Sequence, residues 1–244
     1  MNIGYKKLQK GYIAKLEILG KTNENRIDIA NPQYAKYRAS KVKVLKIFHM
    51  NGEVNGEVND ETQVIKQMNG ILDMNFVYTS GKEICVSNYD RNVNTVSSQG
   101  IHYFKTPYQA KMWQLSSNNY TGKYMDWYDN GNKRREGEYK NGKQEGKWIE
   151  WYEDGNKKSE EEFKNGEREG KRIMWYTNGN EWYEEEYKDG KLEGKYIEWY
   201  EDGTKKEEGE YKNGKQEGKW VGWLDNNNKI HEREYKDGKE EGKW

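Results

Sequence analysis

GEYKNGKQEGKWIEWYEDGNKKSE, from Gly137 to Glu160, is the stretch whose reading decides the fold. It carries two turn dipeptides, Asn141-Gly142 and Asp154-Gly155, with runs of strand length between them. Asn-Gly and Asp-Gly accept the positive φ that a type I′ turn demands, so each predicts a tight hairpin. A glycine or a turn pair falls every 10 to 14 residues, too often for a helix, and Trp and Tyr favour strands. The stretch reads as one β-hairpin.

The same unit recurs on both sides. Its Gly-Lys pair begins at Gly122, Gly146, Gly170, Gly194, Gly218 and Gly242, in steps of 24 residues without insertion or deletion. The consensus is G-K-(W/Y)-I-E-W-Y-E-D-G-N-K-K-x-E-G-E-Y-K-N-G-K-x-E. Residues 122–244 therefore hold five full units and the start of a sixth. The expected fold class is mainly β: an elongated antiparallel sheet of repeated 24-residue hairpins, preceded by a small α+β domain over residues 1–121. Ten strands at strand spacing would extend about 45–50 Å.

Alternation assigns two faces. Met125, Ile149, Ile173, Ile197 and Val221 share one with Trp127, Trp151, Trp175, Trp199 and Trp223, and this apolar face is the expected repeat core. The opposite face carries Tyr124, Trp148, Arg172, Tyr196 and Trp220, followed by Tyr128, Tyr152, Tyr176, Tyr200 and Leu224. Tyr124, Trp148, Tyr152, Tyr176, Tyr196, Tyr200 and Trp220 are more aromatic surface than one core requires, and they form the expected binding surface. Gly137 and Gly209 leave room for something to pack closely.

Composition agrees with order built on aromatics. Leu, Ile, Val and Phe make up about 15% of the chain, which alone would suggest disorder, yet there are 10 Trp and 20 Tyr. The formal net charge is zero, with 42 basic and 42 acidic residues, which removes a global basic field for nucleic acid. That zero hides +6 on residues 1–121 and −6 on residues 122–244. An acidic repeat half opposes an anionic membrane. No signal peptide or apolar membrane span is read, and the expected location is intracellular. Cys85, the single cysteine, reads as a small core residue between Ile84 and Val86.

The repeat resembles MORN repeats, whose core Gly-Glu-(Tyr/Trp)-x-(Asn/Asp)-Gly-Lys-x-x-Gly-Lys appears as GEYKNGKQEGK at Gly137 to Lys147 and at Gly209 to Lys219. The Trp-Tyr/Trp-x-Asp-Gly continuation is similar to the variant type common in bacterial and large-virus proteins, including bacterial proteins labelled as antitoxin components. In the last unit Asn227 stands for the turn glycine and Leu224 for the tyrosine. The resemblance implies protein–protein scaffolding and, in some members, phospholipid association.

Residues 1–121 read as mostly β, with a join SSNNYTG at Ser116 to Gly122. Strands are expected at Tyr12 to Leu19 and Lys41 to Phe48, the second with Val42, Val44 and Lys46 on one face and a break at Leu45. Phe76 to Tyr78 and Glu83 to Val86 should form a hairpin about Thr79-Ser80-Gly81, and Gly100 to Phe104 another strand. Thr106 reads as an N-cap and Pro107 as the first residue of a short helix burying Ala110 and Trp113. YRASKVKVLKI (Tyr37 to Ile47), FVYTSGKEI (Phe76 to Ile84) and SSQGIHYFKT (Ser97 to Thr106) resemble a domain of unknown function. That domain stands at the front of MORN- and pentapeptide-repeat proteins of large DNA viruses of amoebae.

His102 is the weak catalytic candidate, with Asp90 and Arg91 as partners; a structural histidine and a loop salt bridge are the simpler readings. His49 and His231 stand apart, and no set of residues has metal-ligand spacing, so neither metal nor cofactor is expected. Glu160-Glu161-Glu162 reads as a solvated face. The expected role is a non-enzymatic scaffold whose aromatic-rich sheet binds a protein partner. Alternatives are an enzyme in the first domain with the repeats as a targeting arm, and peripheral lipid binding. Edge-to-edge dimerisation is a further option, and nucleic acid is not an expected partner.

Overall fold

The structure is a computed structural model that describes residues 1–50, 61–70, 76–92, 94–95, 99–113, 115 and 118–242. Ser97 and Ser98 of the quoted motif, Ser116 and Ser117 of the join, and Lys243 and Trp244 of the sixth unit lie outside the described residues. The chain divides into two compact units, Met1–Ser116 with Met125–Lys133, and Ser117–Tyr124 with Arg134–Trp244.

In the first unit the strands are β1 (Ile3–Lys7), β2 (Tyr12–Ile18), β3 (Lys36–Ala39), β4 (Lys41–Met50), β5 (Glu61–Ile65), β6 (Gln67–Asn69), β7 (Val77–Thr79), β8 (Glu83–Cys85) and β9 (Ile101–Phe104). The main sheet runs β3-β9-β1-β2-β4-β5, with β8 also on β4; β6 and β7 pair separately. One helix, α1 (Pro107–Met112), starts as the sequence implies: the Thr106 hydroxyl accepts from the Gln109 amide at 3.2 Å, with Pro107 in the first turn. Ala110 is buried with Ile13, Phe48 and Phe104, while Trp113 packs half-buried at their edge. The other apolar cluster includes Ala14, Leu16, Val42, Val44, Ile47, Ile101 and Tyr103.

Three local expectations are revised. The break at Leu45 is a bulge: Lys15 pairs with Lys46 but Leu16 with Val44, so the extra residue passes the inward position to Ile47 instead of Lys46. The segments around Thr79-Ser80-Gly81 do form a tight turn, with the Lys82 amide on the Thr79 carbonyl at 3.0 Å, but they do not pair with each other. β7 pairs with β6 and β8 with β4. Cys85 is exposed, because β8 turns Ile84 inward and its two neighbours outward.

Sequence reasoning passed over Arg38, which is fully buried. Its guanidinium donates to the carbonyls of Asp90, Asn92, Thr95 and Gln99, four residues of the segment between β8 and β9. Trp127 also belongs to this unit, stacked on Tyr34 with centroids 5.1 Å apart, while the Lys36 amide bonds the Asp129 carbonyl.

Strands β10 (Gly122–Trp127), β11 (Lys133–Lys140), β12 (Lys143–Trp151), β13 (Lys157–Lys164), β14 (Glu167–Arg168), β15 (Gly170–Trp175), β16 (Glu181–Lys188), β17 (Lys191–Trp199), β18 (Lys205–Lys212), β19 (Lys215–Trp223), β20 (Lys229–Lys236) and β21 (Lys239–Glu241) form a second sheet. It is antiparallel and in sequence order, with β14 as a side pair of β13. This is the hairpin array that the repeat predicts.

The two turn classes are not both type I′. At Asn141-Gly142, Asn165-Gly166, Asp189-Gly190, Asn213-Gly214 and Asp237-Gly238 both residues have positive φ, as that turn requires. At Asp154-Gly155, Asn178-Gly179 and Asp202-Gly203 only the glycine does. There the Gly155 amide bonds the Tyr152 carbonyl and the Tyr152 amide the Asn156 carbonyl, a three-residue loop closed by a bulge. The Asp154 carboxylate instead accepts from the Asn156 amide at 2.9 Å, so the acidic residue serves as a side-chain acceptor.

Lys7 supplies a test of the first unit's packing. It is 8% exposed and donates to the Trp113 carbonyl at 2.7 Å, and burial pulls its ammonium down to about 8. Below that pH the lysine is charged both folded and unfolded, so the cost of burying the charge stands in full. Between pH 8 and its ordinary value the folded state sheds the proton first and the cost is relieved. The urea midpoint of the protein should therefore rise, relative to that of Lys7→Met, between about pH 7.5 and pH 9.5.

Two faces of the repeat sheet as candidate interaction site

Within the second unit the described residues form strands and turns only, so apolar side chains are buried against the sheet itself. On one face a row crosses the strands: Trp148 opposite Glu161, Arg172 opposite Glu185, Glu185 opposite Tyr196, Tyr196 opposite Gly209, and Trp220 opposite Arg233. Burial here reverses the expected ranking. Trp148 and Trp220 are only 2% and 1% exposed, and Tyr124 is buried too, although this was the face expected to bind. The cause is the pair of small residues noted in the sequence. A Cβ at Gly137 would lie 2.3 Å from the Trp148 ring, and one at Gly209 2.3 Å from the Trp220 ring. Each indole lies flat over its glycine and donates to the backbone, Trp148 to the Glu138 carbonyl and Trp220 to the Glu210 carbonyl, both at 3.2 Å. Tyr139 and Phe163 close edge-on around Trp148, and Tyr211 and Tyr235 around Trp220.

At Glu161 no glycine leaves that room, and Arg172 stands where Trp148 and Trp220 stand in their repeats. Glu161 faces Arg172, whose Nε lies 3.3 Å from the Glu161 carboxylate while Nη1 reaches Glu185 at 3.1 Å. Arg168 joins them, on Glu161 at 2.8 Å and over the Tyr187 ring at 5.5 Å. Burial and the neighbouring Glu185 carboxylate push the Tyr187 hydroxyl up to about 12. Burial, with Glu198 nearby, likewise raises Tyr196. So Glu161 is a partly buried ion-pair partner, whereas Glu162 is exposed.

Tyr152, Tyr176 and Tyr200 remain half-buried, but their hydroxyls are engaged. They donate to the carbonyls of Trp175, Trp199 and Trp223 at 2.8, 2.9 and 2.9 Å, each one repeat ahead. Leu224 has no hydroxyl to continue this ladder. A second ladder joins the opposite hairpin ends. Glu145, Glu169, Glu193 and Glu217 accept from the amides of Asn165, Asp189, Asn213 and Asp237. Beside each, the turn glycine donates to the preceding repeat, as from Gly166 to the Gln144 carbonyl at 2.9 Å. These glutamates were legible only as an invariant letter of the unit; their constant distance of 20 residues from a turn amide was the signal.

The other face carries the expected core. Ile197 and Val221 are buried at 6% and 5%, whereas Ile149, Ile173, Trp151, Trp175, Trp199 and Trp223 are half-buried. Lysines and glutamates border them, with Lys171 on Glu184 at 2.7 Å and Lys219 on Glu232 at 2.5 Å. An open cleft of about 580 Å³ on this side is lined in part by Lys195, Glu208, Lys219, Val221 and Trp223.

In the first unit His102 is half-buried on β9, opposite Arg38 in the register with β3, and its carbonyl accepts from the Lys6 ammonium at 3.4 Å. The Asp90 carboxylate lies 3.9 Å from the Arg38 guanidinium. His231 lies 3.6 Å from Glu207 on the repeat sheet. Among the described residues no three His, Cys, Asp or Glu side chains gather as metal ligands, and no helix is long and apolar enough to cross a membrane.

Two family models match parts of the chain. Residues 1–110 match a "Family of unknown function (DUF5758)", and residues 120–141, 144–165, 168–189 and 192–213 each match the "MORN repeat variant". Among curated proteins none matches the chain.

Both the ring-over-glycine packing and the tyrosine ladder are open to mutation. Gly209→Ala should cost about 1–3 kcal/mol by forcing the Trp220 ring off the sheet. Tyr176→Phe should cost about 0.5–1.5 kcal/mol through loss of one hydrogen bond. Denaturant titration of each variant against the parent measures both.

Proposed function

From a chain with MORN-variant repeats behind a domain of unknown function, we propose a non-enzymatic scaffold whose repeat sheet binds a protein partner. The observation that carries this role is the row of half-buried Trp151, Trp175, Trp199 and Trp223 on one face of the sheet. Tryptophan is a residue type that concentrates binding energy, because it buries large area with few rotatable bonds. The row is bordered by exposed Lys147, Lys171, Lys195 and Lys219, which gives it the apolar centre and polar rim of an interface.

The docking surface therefore moves from the face favoured by the sequence to its reverse. Trp148, Trp220 and Tyr124 hold the sheet together, and Tyr152, Tyr176 and Tyr200 tie successive repeats. Tyr196 is packed against Trp220 with centroids 5.5 Å apart. Removing these side chains would damage the fold before it revealed a partner.

Amine-reactive cross-linking of the full-length protein to its partner, read by mass spectrometry, tests the role without deleting any part. Cross-links should concentrate on Lys147, Lys171, Lys195 and Lys219. Cross-links confined to lysines of the first 121 residues would remove the repeat sheet as the docking element.

A further inference from the structure

One repeat departs from its neighbours in a way that leaves a chemical position open. In the second repeat, Lys157 places its ammonium 2.9 Å from the Glu160 carboxylate and 5.0 Å from the centroid of Trp175. In the fourth, Lys205 lies 2.6 Å from Glu208 and 5.4 Å from the centroid of Trp223. Each is the same device: a lysine at the start of the second strand spans from a glutamate three residues on to the next repeat's tryptophan. The ring face and the carboxylate attract the ammonium together.

The repeat between them keeps the acceptors and loses the donor. Glu184 and Trp199 stand where Glu160 and Trp175 stand, yet the lysine position is Glu181. Glu181 is exposed, and among the described residues it has no ion pair and no ammonium lies over Trp199. Glu184 holds Lys171 at 2.7 Å, whereas Glu160 holds both Lys147 and Lys157, and Glu232 both Lys219 and Lys229. The next residue changes too. Trp182 replaces the lysine found at 158 and 206, is 36% exposed, and packs tilted against Tyr176 and edge-on against Tyr183. Strand β16, EWYEEEYK, thereby carries four glutamates and one lysine.

We infer that Trp199, Glu184 and Glu181 form a docking site for a lysine side chain of the protein partner, in the place where neighbouring repeats insert a lysine of their own. The site rests on the interaction role proposed above and gives that partner a chemistry: a basic segment whose ammonium sits over the Trp199 ring between two carboxylates. Charge complementarity selects it, because the substitution of glutamate for lysine reverses the local sign as well as removing the internal occupant. The neighbouring repeats act as templates for the bound geometry.

Fluorescein-labelled octalysine, titrated into the full-length protein at low salt and followed by anisotropy, tests the site. Glu181→Lys restores the residue carried by other repeats, so it fills the position without disturbing the fold. It should weaken octalysine binding about tenfold, as expected for one desolvated cation–π contact with its carboxylate. Glu234→Lys, an equal change of charge on β20, should change binding less than about twofold. Lys157→Glu opens a second position at Trp175 and should raise the number of octalysine sites. In heteronuclear NMR the Trp199 indole resonance should move most.

Equal weakening by Glu181→Lys and Glu234→Lys, or an unmoved Trp199 indole, would overturn the site as diffuse charge attraction. If the cross-links still fall on the repeat lysines, that result leaves the scaffold role standing. Cross-links confined to the first 121 residues would remove the role and this docking site with it.

Discussion

Within the second unit the described residues form strands and turns only, so the sheet must bury its apolar groups against its own backbone, and that constraint shapes the repeat half of this protein. A glycine on one strand lets an indole on the next lie flat, as Gly137 does for Trp148 and Gly209 for Trp220. Neighbouring tyrosines and a phenylalanine then close over the indole edges. Where Glu161 replaces the glycine, a flat indole has no room, and Arg172 takes its place as an ion-pair partner. Glycine under tryptophan and Glu161 against Arg172 are thus two ways of filling the same small volume.

The same constraint explains how the hairpin ends are secured. In a layered protein, loops can be packed under other elements. Here loops are tied to the adjacent repeat by a tyrosine hydroxyl at one end, and at the other by a glutamate that accepts from a turn amide and a turn glycine amide that donates to a carbonyl of the preceding repeat. Each tie contributes only about 0.5–1.5 kcal/mol, but such ties recur along the array. Stability in such an array is a sum of unit and nearest-neighbour contributions. With those polar groups occupied, the half-buried tryptophan row is the surface we propose for a partner.

Much of this was legible in the chain. The recurrence of the Gly-Lys pair dictated hairpins in sequence order, and Thr106-Pro107 located the helix start. The bulge at Leu45 showed as a broken alternation. What alternation could not supply was the ranking of the two faces, since period two separates them without saying which is buried. Only the position of Gly137 opposite Trp148 decides that, through a pairing register the sequence does not state. The false hairpin about Thr79-Ser80-Gly81 has a related cause: the turn is real, but strand partners are chosen by long-range packing. The open position at Trp199 was present as the exchange of Lys for Glu181, but it had no meaning until Lys157 and Lys205 were seen lying over their tryptophans.

Native-state hydrogen exchange at the turn glycines tests the central claim most directly. In an isolated two-residue hairpin the amides of Gly166, Gly190 and Gly214 would face water and exchange at once. Here they donate to the carbonyls of Gln144, Arg168 and Leu192 in the preceding repeat. Protection of these three amides, comparable to that of the strand amides beside them, is the predicted result. Exchange at unprotected rates while the strands stay protected would contradict an array locked repeat to repeat.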